Sequence, residues 1–119
     1  MNFDEAIQVH AAWKTVLSTY LRRIDGTLKA AEACVDNRCA LGRWLYGEGK
    51  KYSSTAEYQI LVSEHARFHR AAGEVIDKAN SGQAMNADRI LHFDSEFGIA
   101  SRNLVKAIMD LKKKAAVAY

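Results

Sequence analysis

Proline is absent from all 119 residues. Proline fixes φ, removes a backbone donor and breaks helices. A chain of this length without it suits long uninterrupted helices better than turn-rich sheets. The apolar pattern agrees. Phe3, Ile7, His10, Trp13, Leu17, Tyr20 and Ile24 recur at three- and four-residue steps, which predicts a first helix over Phe3–Ile24 with these residues on one face. Asp25-Gly26 is its stop signal. Thr27–Asn37 reads either as a turn or two of helix or as a packed connector. Asp36-Asn37 then offers a cap for a short helix containing Cys39, Leu41, Trp44 and Leu45, closed by Gly47-Glu48-Gly49.

Ser54-Thr55-Ala56-Glu57 reads as a capping box opening the next long helix, with Tyr58, Leu61, His65, Phe68, Ala72, Val75 and Ala79 as its stripe. Asn80-Ser81-Gly82 ends it. A last helix is expected from near Asn86, with Ile90, Phe93, Phe97, Ala100, Leu104, Ile108 and Leu111 facing inward. Long helices, short connections and one apolar stripe each predict an all-α fold: an antiparallel four-helix bundle with an additional short helix that carries Cys39.

The length fits a single domain over residues 1–119. An apolar fraction of 49% against 26% charged is a globular balance, and it excludes a disordered chain. A formal charge of +3 is too weak to point to nucleic acid, and Lys112-Lys113-Lys114 reads as a solvated helix end. No apolar stretch nears the roughly 18–20 residues of a membrane span, and the acidic start Met1-Asn2-Phe3-Asp4-Glu5 lacks the apolar core of a signal peptide. The expectation is a cytoplasmic chain with reduced thiols and no membrane insertion. Cys34 and Cys39 form neither a disulfide framework nor a C-x-x-C pair.

Few residues here carry chemistry. His65 and His69 are four apart on one helix, so their rings project from one face about a turn apart and can reach a single metal ion. The zinc-protease version needs a glutamate after the first histidine, where this chain has Ala66. His10 sits in an apolar stripe between Ile7 and Trp13, where its ring must satisfy a donor and an acceptor. A buried hydrogen bond does that, and so does a metal. Cys39 falls in the first turn of its short helix, where the dipole favours the thiolate that binds metal. Three histidines and one cysteine complete a tetrahedral zinc site. The competing reading makes the histidines hydrogen-bonded core residues and Cys39 a small apolar side chain.

His92 shares a face with Asp88, Ser95, Glu96 and Asn103 and reads as exposed and not a ligand. Cys34 reads as a packed small side chain, with a resolving thiol for oxidised Cys39 as the sharper alternative. Trp13 and Trp44 read as core residues that also roof the metal site and limit water.

His10-Ala-Ala-Trp13, then Cys39-Ala-Leu-Gly-Arg-Trp44, then His65-Ala-Arg-Phe-His69, resembles the chemoreceptor zinc-binding domain family. That family's signature is a histidine with an aromatic three residues on, a C-x-[apolar]-G-x-[aromatic] element and a later H-x-x-x-H. The stretches Arg43–Gly49 and Phe68–Glu74 are similar too, so the resemblance covers nearly the whole chain.

It implies a helical bundle holding one Zn2+ per chain, with His10, Cys39, His65 and His69 as the ligands. It further implies a regulatory domain of bacterial cytoplasmic signalling, in chemoreceptors or diguanylate cyclases. Zinc occupancy, or oxidation of the zinc-bound Cys39 by oxidants such as hypochlorous acid, would change the output. The implied partners are a second copy of the chain and an output domain, in cis or in trans. The alternative is a metal-free structural or interaction bundle. Catalytic zinc is disfavoured because four protein ligands close the coordination sphere, so no enzyme is expected. A di-iron oxygen-binding bundle would need more histidines and bridging carboxylates.

Overall fold

The computed structural model describes residues 1–33, 39–82 and 86–117. Among them no strand forms, and the helices are α1 (Phe3–Arg22), α2 (Ala30–Ala33), α3 (Ala40–Tyr46), α4 (Ala56–Asn80), α5 (Ala87–Ile90) and α6 (Glu96–Val117). A 3-10 turn over Glu48–Tyr52 joins α3 to the approach of α4. The all-α class is as the sequence predicts.

Helix α1 starts where Asn2 Oδ1 accepts a hydrogen bond from the Glu5 amide at 2.9 Å, with Asp4 and Glu5 suited to the positive end of the helix dipole. It ends at Arg22, two residues short of the expected end at Ile24. Arg23 leaves helical geometry and Gly26 adopts φ +78, a left-handed conformation that costs glycine nothing. Ile24 therefore falls off the inward face and is exposed, and Leu21 is buried in the last turn of α1.

Helix α4 is capped by Thr55, whose Oγ1 accepts from the Tyr58 amide at 3.2 Å. The predicted box would have used Ser54. A start one residue later puts Tyr58, not Glu57, at the position facing the cap, so the reciprocal glutamate bond of a box does not form. Every residue of the predicted α4 stripe is buried.

Contacts at the helix ends give the directions. Lys112 Nζ meets Asp4 Oδ1 at 2.7 Å, so α6 ends where α1 begins. The Tyr20 hydroxyl donates to Asn80 Oδ1 at 2.6 Å, so α1 and α4 finish together and run parallel. Asn80 Nδ2 also donates to the Leu28 carbonyl at 2.9 Å, and the Tyr58 hydroxyl donates to the Leu45 carbonyl. Leu28 thus lies beside the last residue of α4 and Leu45 beside its first turn, so the described residues of this arm run opposite to α4. Among the described residues the bundle runs up, down, up and down, with α2 and α3 on its second arm. The cysteine-bearing helix is the lower half of that arm.

The last arm is broken. A single helix from near Asn86 was expected, but Asn86 caps only α5, and the chain turns through His92–Ser95 before α6 begins. Ser95 Oγ then caps α6 by accepting from the Gly98 amide at 3.0 Å. The break resets the helical register, so Phe93, predicted inward, is exposed, whereas Phe97, Ala100, Leu104, Ile108 and Leu111 are buried as predicted.

Gly98 makes this turn sterically feasible. A Cβ there would fall on the His92 carbonyl oxygen and lie 2.7 Å from Phe93 Cα. In an ordinary helix interior, alanine is better than glycine by about 1 kcal/mol. Here the sign reverses: Gly98→Ala is expected to destabilise by about 1–3 kcal/mol, as overpacking against fixed backbone does. Urea unfolding measures it, and a stabilised Gly98→Ala chain would refute the account of the turn.

Candidate metal centre

Helices α1 and α4 run side by side in the same direction, which brings His10 level with the turn of α4 that carries His65 and His69. All three rings are buried, at 2%, 0% and 4% exposure. Cys39 comes from the second arm, immediately before α3. The sequence puts it in the first turn of α3, but it is the N-cap residue: its Sγ accepts from the Gly42 amide at 3.3 Å. The expected cap residues Asp36 and Asn37 lie outside the described residues, as does Cys34. An amide donor at the sulfur favours the thiolate over the thiol. Unlike the histidines, Cys39 is only half-buried.

One donor atom from each of His10, Cys39, His65 and His69 lies within 4.8 Å of all the others. The Cys39 Sγ to His65 Nε2 distance is 3.1 Å, Cys39 Sγ to His10 Nε2 is 3.9 Å, and His65 Nε2 to His69 Nε2 is 3.0 Å. Tetrahedral zinc bonds of about 2.05 Å to nitrogen and 2.3 Å to sulfur imply donor separations of roughly 3.3 Å between nitrogens and 3.5 Å between nitrogen and sulfur. The observed spacings straddle those values. No carboxylate joins the cluster among the described residues.

The hydrogen bonds outside the cluster also fit a metal. His10 Nδ1 lies 2.7 Å from the Ala6 carbonyl, and only a donor can pair with a carbonyl. The proton therefore sits on Nδ1 and the lone pair of Nε2 points into the cluster, a common outer-shell arrangement for a metal-bound histidine. Burial pushes His65 down to about 3, with help from the neighbouring His69 and His10. Burial also lowers His10, opposed by its bond to Ala6 and reinforced by His69. At neutral pH these two rings are uncharged. Neutral imidazoles and a thiolate are the forms that coordinate, so burial has prepared His10 and His65 for a metal. The electron-rich donors converge with all three imidazoles buried, and a cation resolves their mutual repulsion. The residues present fit zinc.

The surroundings were only partly legible. Phe68 was expected to be plain core. It is fully buried, but its ring also stands edge-on to His10 with centroids 5.4 Å apart, and to His69 at 5.6 Å. Across the bundle it meets Phe97 of α6 at 5.5 Å. The signal was its place beside His69 on the buried face. Trp44 is half-buried, edge-on to Phe3 at 5.4 Å and tilted against Tyr52 at 6.0 Å, so it fastens α3 to the start of α1. Trp13 is half-buried against the core. His92 is exposed in the turn before α6, as expected. Glu64, the carboxylate nearest in sequence, lies 3.9 Å from Arg67 along its own helix.

The sequence model of the chemoreceptor zinc-binding domain matches residues 10–76 of the 119, a shorter span than the nearly whole-chain resemblance expected; it begins on His10 and includes Cys39, His65 and His69. No curated protein and no solved structure matches the chain.

Proposed function

This chain belongs to the chemoreceptor zinc-binding domain family, and from that premise we propose that it is a regulatory zinc module of bacterial cytoplasmic signalling. His10, Cys39, His65 and His69 hold one zinc ion in this reading. The observation that carries it is the convergence of these four donors, three of them buried. The ion would supply a positive charge that keeps Cys39 as thiolate and straps three arms of the bundle together. Trp44 shields the centre by holding α3 against α1, and Trp13 by covering the face next to His10. Residues 1–119 act as one domain.

The module senses rather than catalyses. Four protein ligands leave no open position for a substrate water. Its signal is zinc availability, or an oxidant such as hypochlorous acid that converts Cys39 to sulfenic acid and withdraws one of the four ligands. A second copy of the chain and a chemoreceptor or diguanylate cyclase output, in cis or in trans, are the partners. No helix among the described residues is long and apolar enough to cross a membrane.

The test is metal content by mass spectrometry, before and after oxidant, on protein purified without a chelator or histidine tag. About one zinc per chain is expected, released by stoichiometric oxidant. Cys39→Ala is expected to stay folded, to bind zinc more weakly through three histidines, and to lose the oxidant-triggered release. Oxidant release that persists in Cys39→Ala would remove the redox part. A wild-type chain that takes up no zinc under reducing conditions would remove the whole reading.

A further inference from the structure

The four donors are not equally closed off. A cleft of about 280 Å³ opens beside the centre, and of the four donor residues only His10 and Cys39 line it. One wall is the face of α1 formed by Asn2, Glu5, Ala6 and Val9, which share one side of the helix at steps of three and four. The other is the start of α3, Cys39 to Leu41. His10 is 2% exposed even so, whereas Cys39 is half-buried, so Cys39 is the donor residue the cleft presents.

The geometry points to this cleft as the entrance through which small reagents reach the Cys39 sulfur. It deepens the redox reading above and draws its biological meaning from it. The volume lies at the lower limit of small-molecule pockets, about 300–1,000 Å³, so it suits compounds of a few heavy atoms and excludes larger ones. The matching class is a small uncharged oxidant X–OH. The thiolate attacks its oxygen, an S–O bond forms, the O–X bond breaks, and X leaves as an anion with the bonding pair. The sulfur is oxidised by two electrons to sulfenic acid.

The experiment measures alkylation of Cys39 by iodoacetamide, in which an S–C bond forms and iodide leaves. Tryptic cleavage after Arg38 separates Cys39 from Cys34, so mass spectrometry follows each thiol independently. Val9 and Ala40 stand exposed on opposite walls, so a tryptophan at either narrows the cleft from a position that tolerates bulk. Val9→Trp and Ala40→Trp are each expected to slow Cys39 alkylation by about tenfold or more, because thiolate reactions depend on access. Val16→Trp, exposed two turns further along α1 and outside the cleft, is expected to leave the rate unchanged. Unchanged rates in both wall variants, or equal slowing by Val16→Trp, would overturn the proposal. Zinc content measured on the same samples separates the two ideas: a zinc-free chain refutes the zinc module, while the alkylation pattern still decides the cleft.

Discussion

Stripping zinc from the folded chain is expected to lower its stability by about 4 kcal/mol relative to protein held at a free zinc concentration a thousandfold above the dissociation constant. For a chain of this size that corresponds to a drop in thermal midpoint of roughly 15 °C. The helical circular dichroism should persist after stripping. The reason lies in where the core is. Leu61, Phe68 and Ile76 of α4, and Leu104, Ile108 and Leu111 of α6, are fully buried without any help from the metal. α6 contributes no donor at all, so the α4–α6 pairing survives metal loss. This differs from small zinc fingers, which are unfolded without their ion.

His65→Ala provides the control. His65 is the most enclosed donor and lies close to both Cys39 and His69, so its removal leaves the remaining donors without their central member. Zinc affinity should fall by more than the 10–100-fold typical of losing an outer-shell partner. The midpoint should then stop responding to added zinc. A His65→Ala chain that zinc still stabilises as strongly as wild type would show that the metal sits elsewhere. A wild-type chain that unfolds when stripped would show that the α4–α6 core is insufficient by itself.

The fold predicts which part loosens first. The lower half of the second arm, α3, is only seven residues long and is fixed at two points. At one end, the Tyr58 hydroxyl and the Trp44 ring hold the end of α3. At the other, Cys39 is drawn towards the histidines. Losing the sulfur as a ligand frees the second point and leaves the first intact. The change stays near the start of α3, which is how a local chemical event biases a packed element without dissolving the bundle.

The parts legible from sequence were those governed by helical period. In α4, the predicted stripe from Tyr58 to Ala79 is buried throughout, because nothing interrupts the helix and the period carries over 25 residues. His10, His65 and His69 stood out because imidazoles on apolar stripes need partners. The misses fall where the backbone leaves the helix. Ile24 lies past a terminus that the period cannot locate, and Phe93 lies in a break that the period reads straight through. Ser95 with Gly98 three residues later was the available cue for that break: a capping hydroxyl before an acidic first turn, and a residue without Cβ where the chain folds back. Cys39 as a cap was hidden for a different reason. Serine, threonine, aspartate and asparagine dominate that position, so Asp36-Asn37 drew the assignment upstream.

Phe68 ties the core to the candidate centre, and truncating it should reveal both roles. Phe68→Ala removes a fully buried ring, and such truncations cost about 3–5 kcal/mol. It also removes the edge-to-face partner of His10 and His69 and the contact to Phe97. Aromatic pairs of this kind contribute about 0.5–1.5 kcal/mol each beyond burial, and here they also restrict how the imidazoles rotate. The expectation is therefore a double effect: lower stability, and weaker zinc binding with an altered visible spectrum when cobalt replaces zinc. Ile108→Ala separates the two. Ile108 is fully buried on α6, three turns beyond Phe97, and makes no ring contact with the histidines. It should cost a similar 2–5 kcal/mol yet leave the cobalt spectrum as in wild type. Identical cobalt spectra in wild type and Phe68→Ala would mean that the ring supports the bundle alone and that Ala6, through His10, carries the orientation of the site by itself.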